Sequence, residues 1–137
     1  MIRAYDSGYR GECPSETVEQ INSMGWAEKN HPERWPLIWH TPNEIRATPQ
    51  YMAKRKKMGV KSGVSDIIDF GEIRGAFELK RKDRTKSKTS KDQRDFLEAV
   101  AASGGFAAIC YGAEEFKLAY ADYINYCIAQ QVTKTCT

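Results

Sequence analysis

The sequence predicts a mixed α/β domain, a central sheet flanked by helices, and three features carry that expectation. Apolar runs of strand length alternate with capped, amphipathic segments of helical length, in the order α-β-α-β-β-α-β-α. Glycine or proline punctuates nearly every junction between them. The 137 residues, 41% hydrophobic and 28% charged, suffice for one core but not for two. A single domain over 1–137 is expected, with its core at about residues 14–126.

Taken in order, Pro14-Ser15-Glu16 opens a helical pattern whose apolar residues are Val18, Ile21 and Met24 or Trp26. It should fade at Asn30-His31-Pro32, because proline disfavours helix in the residue before it. Pro36–His40 reads as a short strand ended by Thr41-Pro42-Asn43. Thr48-Pro49 has the form of an N-cap with proline at the first helical position, so 50–58 reads as a basic helix stopped by Gly59. Strands are expected at Asp66–Phe70 and Arg74–Lys80, joined by a hairpin-like turn at Gly71. The stretch Arg81–Thr89 has no apolar residue and reads as an exposed loop. Ser90 with Gln93 three residues on forms a capping box for a helix striped by Phe96, Leu97, Val100 and Ala101. Gly104-Gly105 ends it, Phe106–Tyr111 reads as a buried strand, and Ala113–Tyr126 as a last helix before a fraying tail.

Composition narrows the function classes. No apolar run approaches the roughly 20 residues of a membrane helix, and Met1–Asp6 lacks a signal-peptide core, so cytoplasmic residence is expected. Cysteines 13, 110, 127 and 136 form no C-x-x-C pair, and the two histidines, His31 and His40, lie at no zinc spacing. Cys110 reads as a buried structural thiol. His40 with Asn43 is too little for an HNH metal site, and Gly59-Val60-Lys61-Ser62-Gly63 has phosphate-loop ingredients in the wrong order. The net charge of +3 hides an asymmetry: residues 46–94 carry 15 Lys/Arg against 6 Asp/Glu. A basic middle is a footprint for a phosphate backbone, although solvated charge runs look the same.

The chemistry concentrates in residues 66–80. Alternation along a strand puts Glu78 and Lys80 on one face and Leu79 on the other, and a return at Gly71 brings Asp66 beside them. Two carboxylates converging beside one ammonium suit a hard divalent cation and an activated water, hence metal-dependent phosphodiester hydrolysis. A same-face Glu78–Lys80 ion pair and a turn-capping Asp66 are the plain alternatives.

Five segments extend this pattern: S-E-T-V-E-Q (15–20), T-P-N-E-I-R (41–46), G-V-K-S-G-V-S-D (59–66), F-E-L-K (77–80) and S-K-D-Q (90–93). In this order the chain resembles the VRR-NUC domain, the virus-type replication and repair branch of the PD-(D/E)xK nucleases, over residues 14–125. The resemblance implies a restriction-endonuclease-like core and a stand-alone Mg²⁺- or Mn²⁺-dependent nuclease. By it, Asp66 and Glu78 ligate the metal with the Leu79 carbonyl, and Glu16 completes the acidic site. Lys80 serves the attacking water and the phosphate, and Gln93 holds Lys80, water or phosphate. Glu19, one helical turn from Glu16, is the alternative acid. Gln93 has a competing role in the capping box, and the two roles look mutually exclusive. Ser65 departs from the family, which has proline there.

The expected DNA footprint is Lys54, Arg55, Lys56, Lys57 and Lys61, with Arg81, Lys82, Lys86 and Lys88 from the loop beyond. None resembles a base-reading helix, so selection by shape is expected, as in branched DNA such as four-way junctions. The resemblance also implies a homodimer. Tyr120, Tyr123, Ile124 and Tyr126 are candidates for its interface, with the strand 37–40. A non-catalytic DNA-binding module, against which Asp66, Glu78 and Lys80 together argue, and a metal-independent interaction protein, against which the basic middle argues, are the rivals; a flap or single-strand nuclease is the alternative substrate reading.

Overall fold

The structure, a computed structural model, describes residues 1–42 and 46–135. Asn43, and with it the middle of the 41–46 segment, and Cys136 lie outside the described residues. The strands are β1 (Ile2–Tyr5), β2 (Ile38–His40), β3 (Ile67–Asp69), β4 (Gly75–Lys80) and β5 (Phe106–Tyr111). The helices are α1 (Glu16–Asn30), α2 (Pro49–Lys57), α3 (Lys91–Ala102) and α4 (Ala113–Thr135). One five-stranded sheet has the order β1-β5-β4-β3-β2. β4, β5 and β1 are parallel, whereas β3 runs antiparallel to both β4 and β2.

Parallel central strands must be covered on both faces. On one face Ile67, Phe77, Leu79, Ala108 and Cys110 meet α1 and α4 through Ala27, Phe116, Tyr120 and Tyr123. Phe77 is the hub, with its ring 5.3–5.9 Å from those of Phe106, Phe116, Tyr120 and Tyr123. On the other face Ala76, Ala107, Ile109 and Tyr111 pack on Leu97 of α3, flanked by Phe96, Val100 and Ala101. The Ser90 cap and both halves of the capping box are formed, as is the Thr48 cap of α2.

Several expectations change. β1 was not foreseen: Ile2–Tyr5 pairs in register with Ala107–Cys110 as a short edge strand. A single turn of 3₁₀ helix at Trp35–Leu37 replaces the start of the expected strand 36–40. α1 turns a partly different face inward: Met24 and Trp26 pack on the core as expected, but beside the buried Glu19, Ser23 and Ala27, while Val18 and Ile21 are exposed. Small side chains let α1 lie close to the sheet. α4 runs on to Thr135 where fraying was expected. The 81–89 stretch is only partly exposed: Asp83 is buried and receives hydrogen bonds from Gly11 N and Thr85, tying the loop to the N-terminal segment.

Tyr120 and Tyr123 are fully buried, so they are core and not an interface, and Ile124 and Tyr126 pack against the same core. Their hydroxyls finish a polar network around the fully buried Asp69 of β3. Arg34 reaches both Asp69 oxygens at 2.8 and 3.1 Å, Tyr120 donates to one of them, and Gly71 N donates to the other. Removing one partner of a buried pair leaves the other charge uncompensated. Asp69→Ala is therefore expected to cost about 3–5 kcal/mol of folding stability, read from the denaturant midpoint; a loss below about 1 kcal/mol would show the network to be dispensable.

Candidate active site

Two residues of the central strand β4 do what strand residues seldom do. Glu78 and Lys80 are 1% and 5% exposed, on the α3 face, at the C-terminal end of the parallel strands. Burying a charge there requires partners. Lys80 Nζ lies 3.2 Å from Gln93 Oε1, 3.8 Å from Glu78 Oε1 and 3.9 Å from Glu16 Oε1. Gln93 Nε2 donates to the same Glu78 Oε1 at 2.9 Å. Glu78 Oε2 is buried with no hydrogen-bond partner. Asp66 closes the group by accepting from Leu79 N at 2.8 Å. In an extended strand N–H and C=O of one residue point to the same edge, so the Leu79 carbonyl opens toward Asp66. The Lys80 carbonyl, on the opposite edge, is taken by Gly112 N at 2.9 Å.

The structure thus brings Asp66, Glu78, Leu79, Lys80, Gln93 and Glu16 into one place. Gln93 performs both roles that looked exclusive. Its amide oxygen has two lone pairs and accepts from Ser90 N and from Lys80, leaving the amide nitrogen for Glu78. The two glutamates in the first turn of α1 also separate. Glu19 is buried and accepts from Ala113 N at 2.7 Å, placing its charge at the N-terminus of α4, where the helix dipole favours it. Glu16 is the acid that reaches Lys80, with half of its side chain exposed. Gly112, at φ 102°, permits that clamp, since a Cβ there would come within 2.7 Å of Glu19.

Loops complete the frame. Gly63 crosses α3 so closely that a Cβ would sit 2.4 Å from the Asp92 carbonyl carbon, and Ser62 donates to Asp92, next to Gln93. The Asp66 carbonyl accepts from Thr41 N and lies 2.9 Å from His40 Nδ1. His40 was not foreseen in this role; its place at the end of a strand just before Thr41-Pro42 was the available signal. The Thr41 and Ser65 hydroxyls are buried without a partner, the second on the residue just before Asp66.

Burial pushes the Glu78 carboxyl up to about 9, helped by the neighbouring Asp66 and opposed by Lys80. Among the described residues, no three carboxylate, imidazole or thiolate groups gather closely enough to enclose a metal unaided. A hard cation still fits. The donors are oxygens, one buried carboxylate oxygen lacks a partner, and a cation would relieve the Asp66–Glu78 repulsion.

The basic residues divide. Lys54, Lys56, Lys57, Lys61, Lys86 and Lys88 are exposed and Arg55 is partly so. Arg81 instead donates to the carbonyls of Cys13 and Pro14, and Lys82 lies over the Tyr9 ring. Those two half-buried side chains hold the N-terminal segment and are less free to reach a phosphate than the exposed lysines.

A raised carboxyl has a signed consequence. Below about pH 4.5 Glu78 is neutral folded or unfolded; between about 4.5 and about 9 only the unfolded chain ionises it, so folding loses stability as pH rises. Glu78→Gln is expected to melt higher than the parent in metal-free buffer, by a margin that widens from pH 5 to pH 9. A margin independent of pH would show that Glu78 ionises freely.

No protein-family model matches the chain, and no curated protein is similar to it. Among solved structures, one described as "VRR_NUC domain protein" superposes with a TM-score of 0.69 at 23% identity, covering 84% of this chain and 92% of its own. The chain has the fold of a VRR-NUC domain, a mixed five-stranded sheet with flanking helices.

Proposed function

We propose that this chain is a Mg²⁺- or Mn²⁺-dependent DNA endonuclease acting on branched DNA such as four-way junctions. One observation carries the reading. Inside a VRR-NUC fold, Glu78 and Lys80 are buried together beside Asp66, with a Glu78 oxygen left without a partner. A structural ion pair gains nothing from a second carboxylate next to it, whereas cation binding does.

Asp66 and Glu78 would hold the cation with the Leu79 carbonyl, and Glu16, at the rim, would act through water. The bound ion would supply a Lewis acid and a water that ionises near neutral pH. Lys80, fixed by Gln93 and Glu78, is placed to orient that water and to offset charge developing on the phosphate. Gln93 is a positioning residue. Phosphates would be met by the exposed lysines of α2, Lys61, Lys86 and Lys88, which carry no base information. No helix among the described residues is long and apolar enough to cross a membrane.

Cutting a junction evenly needs two sites across a two-fold axis, which a homodimer supplies. The interface we propose is the outer face of α4, where Leu118, Ile128 and Val132 are 54–57% exposed. With the exposed Ala121 and Asn125 they follow a heptad spacing, and a single Asn at such a position is a known device for fixing register. Tyr120 and Tyr123 lie one face away, in the core.

Asp66→Ala and Glu78→Ala are each expected to abolish Mg²⁺-dependent cleavage of labelled junction and flap DNA while DNA binding persists. Lys80→Ala should lose about 10²–10³ in rate at saturating metal. Parental turnover by either carboxylate variant would remove the site assignment. Ile128→Asp with Val132→Asp should convert the dimer to a 15.6 kDa monomer in sedimentation and end paired nicking. A parent that is itself monomeric would remove the dimer.

A further inference from the structure

α2 has no buried residue, yet it stands over the molecule across an open cleft of about 1130 Å³. A surface helix is normally held by an apolar stripe facing a core, and here the apolar residues face the cleft instead. Met52 and Ala53 of α2 and Val60 and Val64 beyond it look across to Phe96 and Ala99 of α3. Arg55, Lys56 and Lys61 line the α2 side, while Asp92 and Asp95 line the opposite wall. Both acids are already engaged, Asp92 by Ser62 and Asp95 by Lys91. One end of the cleft is lined by neighbours of the candidate active site: Thr41 bonds the Asp66 carbonyl, Val64 lies two residues before Asp66, and Asp92 adjoins Gln93.

We infer that this cleft is the track for a single, unpaired DNA strand entering the site. The charge pattern selects a polyanion, since α2 and Lys61 bring five cations and no acid within residues 49–61. The apolar floor selects what that polyanion carries, because bases and sugars are the parts of a nucleic acid that apolar side chains can hold. The acidic wall sets the orientation, with phosphates along α2 and bases turned inward and toward α3. A volume of about 1130 Å³, slightly above the usual small-ligand range of about 300–1,000 Å³, is on the scale of a few nucleotides of one strand. The inference rests on the nuclease reading only for what then happens to the strand, and it adds to the four-way junction those branched structures, such as flaps, in which one strand leaves its duplex beside Asp66 and Glu78.

Ala53 and Ala99 are exposed on the two walls and touch neither core nor site, so Ala53→Trp and Ala99→Trp should fill the cleft without disturbing the fold. Full-length protein would be titrated in EDTA, where no cleavage occurs, into fluorescein-labelled oligo-dT and into a blunt duplex, with thermal melts on each variant. The expected result is a loss of about tenfold or more for oligo-dT, the worth of one held base, with duplex affinity within about twofold. Lys54→Glu, which does not line the cleft, should weaken both probes alike. Equal effects of the tryptophans on both probes, or none on oligo-dT at unchanged melting temperature, would overturn the inference. Stronger binding of oligo-U than of oligo-dT would overturn the assignment to DNA. Binding in EDTA separates the two readings: a chain that holds oligo-dT through the cleft yet cuts nothing with Mn²⁺ loses only the nuclease, and one that cuts while the tryptophans change nothing loses only the track.

Discussion

Burying Glu78 and Lys80 side by side in the middle strand of a sheet is the constraint around which the rest of the molecule is arranged. Two ionisable side chains at 1% and 5% exposure need fixed partners on every side. β4 supplies the spacing, since alternation points both side chains to one face while Phe77 and Leu79 fill the other core. Gln93 supplies the hydrogen bonds, and it can do so only because the Ser90 capping box starts α3 at that place. Even so, one Glu78 oxygen is left over, and burial beside Asp66 makes ionising that carboxyl costly. The proposed cation site rests on that residual cost.

The same economy appears in α1. Glu19 is spent on the N-terminus of α4, and that clamp fixes the helix so that Glu16, one turn earlier, reaches Lys80 from the rim. On the far side of the sheet, Asp69 with Arg34, Tyr120 and Tyr123 locks α4 to β3 and the turn after it. That network is fully paired and faces the aromatic core, which makes it structural. The contrast between the two buried acids, Asp69 satisfied and Glu78 half satisfied, separates scaffold from site without appeal to sequence similarity.

Much of this was legible in the sequence wherever the signal was local. Thr48-Pro49, Ser90 with Gln93, and Gly104-Gly105 mark helix ends through bonds made within a few residues, and the structure keeps all of them. The E-x-K spacing placed two side chains on one face, and the Gly71 return brought Asp66 to them. What stayed hidden depends on distant partners. Ile2–Tyr5 is too short to announce a strand, and its pairing partner lies about a hundred residues away in β5. α1 misled because its inward face is Glu19, Ser23 and Ala27, small or charged residues at i, i+4 and i+8, while its aliphatic residues face out. Tyr120 and Tyr123 look like an amphipathic surface until Asp69 and Arg34 account for their hydroxyls. Arg81 and Lys82 counted toward a basic footprint that only tertiary contacts with Tyr9, Cys13 and Pro14 could reduce.

The central claim is that Asp66 and Glu78 form one cation site, and calorimetric titration of Mn²⁺ tests it without any substrate. The account predicts binding to the parent protein, loss of that binding in Asp66→Asn and in Glu78→Gln, and its survival in Lys80→Met. Unchanged Mn²⁺ binding in both carboxylate variants, with their folds intact, would contradict it.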